Sequence, residues 1–60
     1  MRFYFAALRV LRALDESPAT FSELIKRTGL KASDLRTILE HLQWQGVVVK
    51  DDYHYRKVGA

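Results

Sequence analysis

The stretch TFSELIKRTGLKASDLRTILEHLQWQG, residues 20–46, leaves the chain little freedom in how it folds. Thr20 can cap the amide of Glu23 while Glu23 reaches back to the amide of Thr20, a reciprocal capping box that opens a helix. Phe21, Leu24 and Ile25 form the inner face of that helix. Lys26 and Arg27 stand in its last turn, where cations suit the dipole. Gly29 supplies the left-handed backbone that stops the helix, and Leu30 is placed to plug the corner that follows. A further helix is predicted over 32–45, because Leu35, Ile38, Leu39 and Leu42 fall within an arc of about 100°. Gly46 ends it as Gly29 ended the one before.

The flanks complete the pattern. Phe3, Ala7, Val10, Leu11 and Leu14 recur at the spacing of one helical face, so a helix is predicted over 3–15. Asp15-Glu16-Ser17-Pro18 ends it, since the residue before a proline is pushed out of the helical region. After Gly46, the run VVV, the polar pair Asp51-Asp52 and then YHYRKV read as a β-hairpin over 47–58. The fold class is therefore mainly α with a small β-hairpin: helices at 3–15, 20–28 and 32–45, then two strands, in one domain covering 1–60. Its predicted core centres on Phe3, Val10, Leu14, Leu24, Ile25, Leu30, Leu35, Leu39, Leu42 and Val48.

Composition narrows the function classes. A chain of 60 residues is near the lower size limit for folding alone and often gains stability by pairing. Its hydrophobic fraction of 48% and charged fraction of 28% belong to a soluble globular domain rather than a disordered tail. Without cysteine, disulfides and thiolate metal sites are excluded, which fits a cytoplasmic setting. Arg9 and Arg12 break the apolar N-terminal run, so it does not read as a signal peptide, and no stretch approaches the ~20 apolar residues of a membrane span. The formal charge of +3 and pI near 9.6 lean towards a polyanionic partner. Catalysis finds no support. Gly29, Gly46 and Gly59 are scattered, so no phosphate-cradling loop exists. His41 and His54 have no clustered ligands to complete a metal site, and Ser17, Ser22 and Ser33 lack a neighbouring histidine. Neither enzyme activity nor a cofactor is expected.

The run L-x-x-L before a proline, then TFSELIKRTGLKASDLRTILEHLQWQGVVV and a tyrosine-containing hairpin, resembles winged helix-turn-helix domains. It is similar to those of ArsR- and MarR-type regulators, and also to the small domain ending many copies of the DNA-processing protein DprA. The resemblance implies double-stranded DNA as partner and transcription control as the role. Helix 20–28 would cross the DNA backbone and helix 32–45 would enter the major groove. Lys31, Ser33, Arg36, Thr37 and Glu40 match the usual contact positions, with His41 one turn further along. The hairpin would be the wing, with Lys50, His54 and Arg56 reaching phosphates or a minor groove. The chain departs from the pattern at Asp34 and Glu40 on or near the presumed DNA face, and at the acidic wing tip Asp51-Asp52. It has no metal-binding or effector-sensing residues of the ArsR type.

Each candidate has a plainer reading. Arg36, Thr37 and His41 are either DNA contacts or a solvated helix face. Trp44, about 180° from Leu35 on the helix wheel, either covers the wing root or the end of the first helix, or anchors an interface with another protein. Met1, Tyr4, Phe5 and Leu8 lie away from Val10 and Leu14. They either pack on the hairpin or form the seam of a homodimer. A rival to DNA binding follows from Trp44: a winged helix used for protein–protein contact through helix 32–45.

Overall fold

The computed structural model describes residues 2–59. In chain order they form α1 (Phe3–Glu16), β1 (Ala19–Thr20), α2 (Phe21–Thr28), α3 (Ala32–Trp44), β2 (Val48–Asp51) and β3 (His54–Lys57). The sheet is antiparallel throughout, with strand order β1-β3-β2. No helix among the described residues is long and apolar enough to cross a membrane. The architecture is a winged helix-turn-helix, with the three expected helices and the hairpin in place. The sheet has one strand more than expected. β1 is only two residues long, Ala19 pairing with Tyr55 and Thr20 with His54, and two residues carry no periodicity for a sequence pattern to reveal.

Local chemistry accounts for the helix ends. Ser17 ahead of Pro18 is fully extended (φ −175°, ψ 160°), which carries the chain directly into β1. Thr20 is extended (φ −75°, ψ 167°), accepts from the Glu23 amide at 3.2 Å and donates its own amide to the Glu23 carboxylate at 2.8 Å. The capping box is therefore complete. Gly29 (φ 72°) donates its N–H to the Ile25 carbonyl at 2.8 Å, the single-bond form of the glycine stop. Gly46 (φ 78°) ends α3 with two bonds, Gly46 N–H to Gln43 and Val47 N–H to Leu42, the paired form of the same stop.

One core lies between the three helices and the sheet. Val10, Leu24, Leu35, Ile38 and Val48 are fully buried, and Leu39, Leu42 and Leu14 nearly so. Several expectations need correction. Phe3 is not in the core: it is 37% exposed, its ring edge-on to His41 at a centroid distance of 4.8 Å. The buried face of α1 is turned towards Ala6 and Ala13, which with Ala7 line the core. Small side chains let α1 approach closely, and a phenyl ring at its first turn is left on the rim. Ile25 and Leu30 are only half-buried, whereas Ile38 and Ala19 are at the centre.

Two arginines bind the helices to each other. Arg27 donates to the Ala13 and Ser17 carbonyls and to the Ser17 hydroxyl at 3.1–3.2 Å. Arg9 donates to the Thr28 carbonyl at 3.2 Å. Each of α1 and α2 thus sends a cation to the C-terminal carbonyls of the other, where the helix dipole favours positive charge. Arg27, at the end of α2, is thereby engaged in the fold. Thr28 is itself buried; its hydroxyl donates to the Leu24 carbonyl at 2.6 Å and accepts from the Leu30 amide at 3.3 Å, bracing the turn into α3.

The capping box makes stability depend on acid. The Thr20 backbone N–H holds the Glu23 carboxyl below its ordinary value of 4.5; partial desolvation opposes this, and the Thr20 hydroxyl, Arg27 and His54 reinforce it. A depressed folded pKa stabilises the fold above the unfolded value, and the effect is lost as pH falls through the folded value. Glu23→Ala should therefore lower the melting temperature at neutral pH. The difference from the parent should close at pH values below the depressed pKa, as followed by circular dichroism.

Candidate nucleic-acid interface

α3 presents two opposite faces. Leu35, Ile38, Leu39 and Leu42 are buried, while Ser33, Arg36, Thr37, Glu40 and Trp44 are exposed. The outward face is thus fixed by how the leucine stripe seats in the core. Its flanks rest on aromatic rings. The Arg36 guanidinium lies 5.7 Å from the centroid of Phe21, at the start of α2. On the other flank His41 meets Phe3 of α1, with the ring planes at 82°. Arg36 therefore leans towards α2 and His41 towards α1, so the two do not act at one point.

The polar residues differ in how free they are. Lys31 is exposed at the N-terminal boundary of α3 and makes no capping bond with its side chain. The Thr37 hydroxyl donates back to the Ser33 carbonyl at 3.1 Å, so its proton is occupied within the helix. Glu40 is exposed. Among the described residues, Lys31, Arg36 and Glu40 make no ion pair within 4.0 Å. Trp44 is 85% exposed; it covers neither the wing root nor the end of α1.

The wing separates residues that had been grouped together. The two-residue turn is Asp52-Tyr53 rather than Asp51-Asp52, with Asp52 at φ 55°. Lys50 therefore pairs across the hairpin with Tyr55, and its ammonium lies 5.6 Å from the Tyr55 ring centroid. Side chains alternate along a strand, so Lys50 shares the core-side face with Val48 and Tyr55. His54 and Arg56 lie on the other face. Arg56 is held there by Asp51 at 2.6 Å, and His54, opposite Thr20, lies near Glu23. Lys57 reaches Asp15 at 2.6 Å and ties β3 to the end of α1. Of the three cationic wing candidates, only Lys50 shares the sheet face of Val48 and Tyr55.

Residues that pattern reading passed over complete the surface. A shallow groove between the start of α2 and the wing is lined by Thr20, Phe21, Ser22, Lys50, Tyr53 and Tyr55. Phe21 had been assigned to the inner helix face, yet it is half-buried and carries Arg36 on its ring. The usable signal was the hairpin register: a turn one residue later puts Lys50 opposite Tyr55. Tyr4 and Phe5 are 69% and 59% exposed on α1, and Leu8 is half-buried; they do not pack away on the hairpin. Met1 lies outside the described residues.

Residues 7–52 match the IclR helix-turn-helix domain, from the first turns of α1 through β2 to the wing turn. The chain belongs to this family. No curated protein and no solved structure gives a match. The expected helix-turn-helix DNA-binding domain of a transcription-regulator family is thereby met. The matched family is of the IclR type, where the residues had suggested the ArsR and MarR types and the DprA domain.

The wing geometry of this IclR-type domain predicts unequal roles for its cations. Lys50 makes no ion pair among the described residues, whereas Arg56 already neutralises Asp51. Lys50→Ala should flatten the salt dependence of duplex binding by about one unit of slope. Arg56→Ala should change it less, because Arg56 is already paired with Asp51 and neutralises no phosphate. Anisotropy titrations of a labelled duplex at several salt concentrations read both.

Proposed function

We propose that the domain binds double-stranded DNA with α3 in the major groove and the β2–β3 hairpin as its wing, as a homodimer in cytoplasmic transcription control. The observation that carries this is the outward face of α3. Arg36 stands there in the first half of the helix, exposed and without a carboxylate partner among the described residues. Arginine is the commonest specific reader of guanine, through its O6 and N7 acceptors. Ser33 and Thr37 flank it on the same face, and Glu40 is suited to accept from a cytosine amino group. Lys31 and Lys50 contribute phosphate neutralisation, which fixes register without choosing sequence. His41, His54 and Arg56 are secondary in this reading, because Phe3, Glu23 and Asp51 respectively engage them.

Arg36→Ala should weaken binding to a preferred site by about 1–3 kcal/mol and relax its sequence preference. Selection from random duplexes, followed by affinity measurement on the selected and scrambled sites, tests this. Equal loss on both sites would remove Arg36 from sequence reading. Exposed Trp44, with Glu40 and the acidic wing tip, stands on the side of a protein contact, and the family match does not favour that reading. Failure of the parent chain to bind any duplex at low salt would transfer the α3 face to it.

The homodimer rests on α1. Tyr4, Phe5 and Leu8 leave an apolar strip uncovered on a domain whose core is already complete. A two-fold pair joined there would present two α3 helices to successive major grooves, as half-site spacing requires. The double substitution Phe5→Glu with Leu8→Glu should convert a dimer into a monomer in sedimentation. A parent chain that stays monomeric at high concentration would rule out the seam.

A further inference from the structure

Three cations among the described residues rest on aromatic faces, and two of the rings, Phe21 and Tyr55, lie in the same groove. Arg36 of α3 lies over Phe21, and Lys50 of β2 lies over Tyr55. Phe21 and Tyr55 line the groove between the start of α2 and the wing, together with Thr20, Ser22 and Tyr53. Tyr53 is 79% exposed at the turn. Neither cation needs its ring to satisfy a hydrogen bond, and at the surface such stacking contributes little to the fold. Its effect is on the side chain: a long, flexible cation is kept in one region before anything binds. The wing tip is also less acidic than its sequence suggests, because Arg56 pairs with Asp51 and leaves Asp52 as the turn's unpaired carboxylate among the described residues.

We propose that this groove seats the sugar–phosphate backbone of one DNA strand, with Phe21 and Tyr55 as positioning residues for Arg36 and Lys50 and Tyr53 as a direct contact. The inference rests on the DNA-binding reading above and adds three aromatic residues to it. A DNA backbone alternates anionic phosphates with the apolar faces of deoxyribose. The groove offers the same two chemistries: Lys50, Ser22 and the rings of Phe21, Tyr53 and Tyr55 line it, and Arg36 lies over Phe21 beside it. Arg36 belongs to both surfaces. Its stem rises from the outward face of α3 while its guanidinium is steadied from α2, so it enters the major groove beside a held backbone. Preorganisation of this kind lowers the ordering cost of binding instead of adding a contact. An uncharged ring contributes affinity without changing the number of ions released, so it leaves the salt slope alone.

The experiment uses the full 60-residue chain, a fluorescent 20-base-pair duplex carrying its selected site, and a scrambled duplex of the same length. Phe21→Leu, Tyr53→Ala, Arg36→Ala and the double variant Phe21→Leu with Arg36→Ala are compared, with thermal melting followed for each. Tyr53 is a solvent-exposed turn residue, so its variant should melt with the parent even if Phe21→Leu does not. Phe21→Leu should weaken binding to the selected site about two- to five-fold, the range of an exposed cation–π contact. It should have no further effect once Arg36 is gone, because its action runs through that residue. Tyr53→Ala should weaken both duplexes alike with an unchanged salt slope. If Phe21→Leu acts equally with and without Arg36, the positioning role is overturned. If Tyr53→Ala binds as the parent does, the seat is overturned, while DNA binding by α3 stands. If the parent binds neither duplex at low salt, the DNA reading fails and the seat falls with it.

Discussion

Thr20 sits where the sheet and the helices meet, and its backbone conformation serves both. An N-cap residue must be extended, because only then can its side chain turn back onto the first helical amides. A strand residue must be extended as well. Thr20 satisfies both needs at once: its hydroxyl and amide close the capping box with Glu23, and it pairs with His54 in β3. The start of α2 is thereby locked to the wing, with no loop between them to take up slack. Phe21, the next residue, inherits a fixed position relative to both Arg36 and the Lys50–Tyr55 pair. The relation between α2 and the wing therefore depends on this junction.

The positive charge of the chain is divided by geometry into two kinds. Arg9 and Arg27 spend their donors on the carbonyls at the ends of α2 and α1. Lys57 and Arg56 are drawn to Asp15 and Asp51. Exposed ion pairs of this sort add little stability, but they remove charge from the field a polyanion would meet. Arg36, Lys50 and Lys31 are what remain on or near the outward side of α3. A net charge of +3 thus says less about binding than the placement of these few side chains.

Much of this is legible in the sequence. The capping box, the glycine stops and the leucine stripe each specify a local conformation, and all of them agree, which is why α2, the turn and α3 stand within a residue of expectation. The errors share a cause. Phe3 continues the apolar spacing of α1, but the buried side of that helix is turned towards Ala6 and Ala13. β1 escaped notice because its pairing is with residues more than thirty positions away. The wing turn was read one residue early because Asp51-Asp52 is the more polar pair, while the actual turn places Asp52 at positive φ.

What the sequence determined alone is everything set within about one turn of helix: where each helix starts and stops, and which side of α3 is apolar. Those follow from hydrogen bonds and side-chain spacings that close over three or four residues. Which cations are free, which ring steadies Arg36 and which side of the hairpin Lys50 occupies were decided only in three dimensions. Most depend on a partner distant in sequence: Arg27 on Ala13, Arg36 on Phe21, Lys57 on Asp15. Such contacts form only after the core has chosen how α1 and the sheet pack around α3, and no local pattern records that choice.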